Sequence, residues 1–113
     1  MPNPDWTKEV PMAITVTDAE GIILEMNEKS AATFEKDGGC ALIGTSVLAC
    51  HPEPSRTKVA GMLRGSTSNI YTIEKKGAKK MIVQMPWFAQ GKPAGLVELS
   101  IELPENIPHF IRG

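Results

Sequence analysis

The sequence predicts a single α+β domain, on three observations. Two β-rich runs, Ile14 to Thr17 and Ile22 to Met26, flank the turn Asp18-Ala19-Glu20-Gly21, with Asp and Gly at opposite ends. The middle of the chain breaks into short helical pieces. From residue 69 the apolar period changes to two, and three strands follow in succession.

The elements can be justified in order. Residues 1–11 form an arm or a short helix containing Trp6 and Val10 and ended by Pro11. Trp6 is a large apolar surface that has to pack somewhere, either over the open face of the sheet or against a second subunit. After the first hairpin, Asn27 caps a helix in which Ala31, Ala32 and Phe34 recur at helical spacing. Lys36-Asp37-Gly38-Gly39 is a loop by composition. Ala41 to Ser46 leads to one short helical turn over Ser46 to Ala49, and Cys50-His51-Pro52-Glu53-Pro54 breaks it. Pro54 opens the next helix, Val59, Met62 and Leu63 form its apolar stripe, and Gly65 ends it.

Asn69 to Glu74, Lys79 to Ala89 and Ala94 to Leu103 are then strands joined by Lys75-Lys76-Gly77-Ala78 and Gln90-Gly91-Lys92-Pro93. In the second, Met81, Val83, Met85 and Trp87 share a face. In the third, Val97, Leu99, Ile101 and Leu103 share one face, and Glu98, Ser100 and Glu102 the other. Pro104 and Pro108 prevent the tail, 104–113, from continuing as a central strand.

At 113 residues the chain has room for one core. With 42% hydrophobic and 22% charged residues it has a globular balance, which excludes a disordered chain. A net charge of −1, from 12 basic and 13 acidic side chains, offers no field to hold DNA or RNA, so direct nucleic-acid binding is excluded. No run is long enough to span a bilayer and no signal pattern opens the chain, which points to the cytoplasm, where Cys40 and Cys50 stay reduced.

Asp18-Ala19-Glu20-Gly21, Asn27 opening the first helix and Ile43-Gly44 before the central helices, in this order and spacing, resemble a PAS domain over residues 12–103. The Cys50-His51-Pro52 run, the Tyr71 to Lys76 strand and the Pro108-His109-Phe110 tail resemble one subset of that family. The resemblance implies a five-stranded antiparallel sheet with short helices packed on one face. It also implies a cavity between sheet and helices, and dimerisation through the sheet's outer face or an N-terminal helix. PAS domains are mostly sensory or interaction modules rather than catalysts.

The chemical candidates divide unevenly. His51 could ligate haem iron, with the plainer role of a histidine bonding backbone beside a proline turn. Haem-binding PAS domains carry the axial histidine on the longer helix, here Ser55 to Arg64, which has none. Cys50 beside His51 suggests a nucleophile and base, yet neighbouring side chains diverge, so an inert thiol or a redox role remains. Gly44 to His51 lacks the Asn-Cys-Arg core of the flavin photosensor motif GxNCRFLQ, so flavin adduct chemistry is unsupported. Cys40, Cys50, His51 and His109 lack the spacing of a zinc site.

Phe34, Tyr71, Trp87 and the methionines are either pocket lining or plain core, and Tyr71 and Gln84 are the preferred polar contacts. Lys75, Lys76, Lys79 and Lys80 form a solvated hairpin tip. No carboxylate pair or triad spacing argues for an enzyme. The expectation is a cytoplasmic sensory module in signal transduction, including regulation of transcription. It binds a small molecule through His51, Cys50, Tyr71, Gln84 and Trp87, and it dimerises through Trp6 and Val10 with a further signalling protein as partner. The alternatives are a haem or redox sensor using His51, with or without Cys50, and a ligand-free dimerisation scaffold.

Overall fold

The computed structural model describes residues 4–50, 53–65 and 67–113, with 49 and 50 given by their backbone alone. Helix α1 (Trp6–Glu9) precedes strands β1 (Ala13–Thr17) and β2 (Ile23–Met26), then helix α2 (Glu28–Thr33). Three 3₁₀ turns follow, Glu35–Asp37, Gly39–Leu42 and Val47–Cys50, leading into helix α3 (Ser55–Gly65). Strands β3 (Asn69–Lys75), β4 (Ala78–Ala89) and β5 (Lys92–Glu102) complete one antiparallel sheet in the order β2-β1-β5-β4-β3.

Turn chemistry sets the register. The Asp18 carboxylate accepts from the backbone N–H groups of Glu20 (2.9 Å) and Ile22 (3.0 Å), and the Gly21 N–H closes the turn on the Asp18 carbonyl at 3.1 Å. Lys76-Gly77 and Gln90-Gly91 each form a two-residue turn with positive φ at both positions, 52° and 80° in the first and 53° and 79° in the second. Such turns carry the twist of the strands they join. The loops at both hairpins are therefore shorter than the four residues that composition suggests.

Asn27 fastens the first hairpin to the helices. Its side-chain oxygen accepts from Ser30 N, capping α2, and from Ile14 N, both at 2.9 Å. Its amide nitrogen donates to the carbonyls of Thr7 and Met12 at 2.8 Å each, so α1, β1 and α2 meet on one side chain. In α2 it is Ser30 that is fully buried, while Ala32 is exposed. The hydroxyl can go inside because it shares a 2.6 Å hydrogen bond with Thr15 Oγ1. The expected loop at 36–39 instead winds into the first two 3₁₀ turns.

The core lies between α3 and the sheet and consists of Ile23, Val47, Val59, Met62 and Leu96. Burying each side chain contributes about 1.5–3 kcal/mol. Where β1 ends against β5, Leu96 N donates to Thr17 Oγ1 at 3.2 Å, and the Trp87 indole N–H donates to the Thr17 carbonyl at 2.8 Å. Gly95 sits beneath this junction with φ 153°, and a Cβ there would collide with the Thr17 and Asp18 backbone.

The two faces of the sheet differ in chemistry. Ile14, Val16, Val83, Met85, Val97 and Leu99 alternate onto the face away from α3, with Val83 opposite Leu99 and Met85 opposite Val97. Helix α1 runs beside Ile14 and Val16 on this outer face, across a cleft of about 150 Å³. Trp6 itself stays 64% exposed and covers little of it.

Candidate functional site

A polar row crosses the sheet beneath the helices. Register places Thr15 of β1 beside Glu98 of β5, Glu98 beside Gln84 of β4, and Gln84 beside Asn69 of β3. At the usual strand spacing the row runs about 14 Å. Each residue faces inward because its neighbours Val16, Val97, Val83 and Ile70 take the outer face.

Between α3 and the β3 end of this row lies a cleft of about 200 Å³. Lys58, Val59 and Met62 supply the helical wall, and Asn69, Tyr71 and Gln84 the floor. Val59 and Met62 are buried, and Lys58 is exposed at the rim. Deeper in, two crevices of about 10 and 20 Å³ flank Thr15 and Glu98, the second walled by Phe34, Leu42 and Met26. Among the described residues the space beneath the helices is thus nearly filled, and the larger opening on that side of the sheet is the cleft beside α3.

Gln84 is only 5% exposed and lines both the cleft and the smaller crevice. Its side-chain oxygen accepts from Asn69 Nδ2 at 3.1 Å. Burial first, and the nearby Glu98 carboxylate second, push the Tyr71 phenol above its ordinary pKa, so it remains a neutral hydrogen-bonding group at physiological pH.

The structure brings Tyr71 and Gln84 into one cleft and puts Trp87 elsewhere. Strand alternation carries Trp87 to the outer face, opposite Gly95, where its indole is occupied by Thr17. Cys50 contributes backbone to the last 3₁₀ turn, but its side chain, like His51 as a whole, lies outside the described residues. Thr15, Lys58 and Asn69 are cleft or crevice residues that the strand and helix patterns did not single out, while Val59 and Met62 were read as a helical apolar stripe and Glu98 as part of a strand face, none of them as a site residue. The signal for Asn69 was present in the turn: a tight hairpin centred on Lys76-Gly77 puts residue 69 opposite residue 84.

No family model and no curated protein matches the chain. Solved structures do. A C-terminal domain from Streptococcus mutans superimposes with a TM-score of 0.69 at 18% identity, covering 90% of both chains. The PAS domain of BvgS from Bordetella pertussis gives 0.62 at 18% identity, over 88% of this chain and 82% of that one. The Aer2 receptor of Vibrio cholerae, described as a dual PAS-haem oxygen sensor, gives 0.60 at 14% identity, over 82% and 95%. The chain has the PAS fold.

Proposed function

We propose that this chain is a sensory signalling module that binds a small molecule in the cleft between α3 and the sheet. The observation that carries the reading is Gln84, an amide 5% exposed at the floor of an open cleft on an otherwise nearly filled interior. An occupant would favour one packing of α3 over another. Coupling of this kind is worth about 1–3 kcal/mol, enough to shift a two-state equilibrium several-fold to a hundredfold.

The output surface in this reading is the outer face of the sheet, with Ile70 54% and Met85 41% exposed, together with Trp6 and Val10 of the arm. A second copy of the chain would cover these side chains. Sensor proteins among the structural neighbours support a signalling role, and the haem of the Vibrio cholerae receptor belongs to that receptor.

Native mass spectrometry of freshly purified protein, with an absorption spectrum of the same sample, tests the reading. The expected result is a colourless protein carrying a small added mass that is lost on denaturation. A Soret band would favour the haem alternative and direct attention to His51. A protein with no added mass, whose thermal midpoint no small-molecule library shifts, would leave the dimerisation scaffold in its place.

A further inference from the structure

The small net charge conceals a separation along the sheet. Residues 5–37, which include the arm, β1, β2 and α2, carry eight acidic side chains and three basic ones. Residues 56–92, from α3 to the start of β5, carry eight basic side chains and one acidic one, Glu74. The strand order β2-β1-β5-β4-β3 puts the first group toward one edge and the second toward the other. The β3 edge is therefore the positive end of the molecule, where local rather than net charge sets the field.

That edge also has a free backbone. The Lys76-Gly77 turn closes on Lys75 and Ala78, so Lys75, Ile73, Tyr71 and Asn69 make the hydrogen-bonded pairs with β4. The N–H and C=O groups of Ile70, Thr72 and Glu74 then point away from β4, and among the described residues none of them meets a backbone partner. The opposite edge is closed: Ile23 N donates to the Thr45 carbonyl at 2.9 Å, and Gly44 N to the Ile23 carbonyl at 2.8 Å. Strand β3 has seven residues, no proline and no bulge, and Ile70, Tyr71 and Ile73 are exposed. Such an edge is a template for one more strand.

Charge selects that strand. Two copies paired β3 to β3 would bring two positive ends together. The acidic end of a second copy has no free strand to offer, because residues 44–46 cover its β2. In the tail, Glu105 and Arg112 offset each other, and Pro104 and Pro108 lack the N–H a ladder needs. Glu74 stands directly opposite Lys79, which offsets it.

We infer that the β3 edge takes an extended acidic segment of a different protein as a sixth strand, its backbone on Ile70, Thr72 and Glu74 and its carboxylates toward Lys75, Lys76 and Lys80. This holds whatever occupies the cleft, and it uses a surface other than the outer face of the sheet.

The probe is the peptide acetyl-Glu-Glu-Ile-Thr-Val-Glu-Glu-amide, with a counterpart in which lysine replaces every glutamate, added to the full ¹⁵N-labelled chain. In the protein alone, amide exchange should be slow at Tyr71 and Ile73 and fast at Ile70, Thr72 and Glu74. The acidic peptide should slow exchange at those three roughly tenfold or more, and the lysine peptide should not. Its affinity should fall roughly tenfold when Lys75→Glu and Lys76→Glu are combined. Thr72→Pro removes an outward N–H without breaking the ladder to β4, and it should abolish the protection of Ile70 and Glu74.

Equal protection by both peptides would overturn the charge selection. Acidic-peptide shifts confined to the lysines, with the three amides still exchanging fast, would overturn the added strand, as would no response at all. Protection that grows with protein concentration alone would make a second copy the occupant instead. A short oligodeoxythymidylate that binds more tightly than the peptide and leaves the amides unprotected would make this a nucleic-acid surface. The comparisons on the unaltered chain decide the matter even if a variant does not fold.

Discussion

Tyr71 is the one tyrosine of the chain, so its ionisation can be followed directly by ultraviolet absorption. Its folded pKa is raised, first by burial and then by Glu98. The protonated phenol therefore contributes stability that is fully present below about pH 10, the unfolded value. That contribution is lost as the pH rises through the folded pKa. An alkaline titration should show a later tyrosinate midpoint in the native protein than in denaturant. Glu98→Gln should bring the midpoint back only part of the way, because burial is the larger cause. A midpoint unmoved by Glu98→Gln would mean that the carboxylate does not act on the phenol. At this scale Gln84 was legible in the sequence as a polar residue amid apolar neighbours. Trp87 was misjudged as a cleft residue because an indole with strand spacing looks the same on either face. The Thr17 carbonyl that holds it is 70 positions away.

Among the elements, the hairpin and helix that meet at Asn27 offer the sharpest test. Asn27→Ala removes the α2 cap, worth about 0.5–2 kcal/mol, and leaves the buried Ile14 N–H without its acceptor. A total destabilisation of about 3 kcal/mol is expected in urea unfolding, and a value below about 1 would show that the cap is dispensable. Asn27→Asp should separate the two functions of the residue. It keeps the acceptor for Ile14 and Ser30 but loses the donations to Thr7 and Met12. Faster amide exchange should follow in α1, with α2 protected as before. Strand and helix positions were readable from period and caps, since both are local properties. Which side of the sheet the helices cover was not. Alternation says that Glu98, Ser100 and Glu102 share a face, and nothing local says that the helices lie over it. Here the helix-covered side carries the polar row and the outward side carries Val97, Leu99 and Ile101.

For the whole molecule, that inversion motivates the proposed association of two copies. An outward face bearing Ile70, Met85, Val97 and Leu99 is more apolar than a solvent face needs to be. Met85→Glu places a carboxylate on it without touching the cleft. Sedimentation equilibrium should report a dimer for the unaltered chain and at least a tenfold weaker dimer for Met85→Glu, a loss of about 1.4 kcal/mol or more. A dimer insensitive to that change would move the interface elsewhere, with Trp6→Ala as the next variant.

The placement of the two tryptophans has an optical consequence. Trp6 emits from water at the edge of the arm, whereas the indole of Trp87 is tethered to Thr17 and partly shielded by the sheet. Their fluorescence is therefore separable by wavelength and by access to a quencher such as iodide. One colour reports what approaches the N-terminal arm, and the other reports whether the end of the first strand is still held to the fourth. The molecule carries a two-channel readout of contacts at its arm and of its own unfolding, with no label attached.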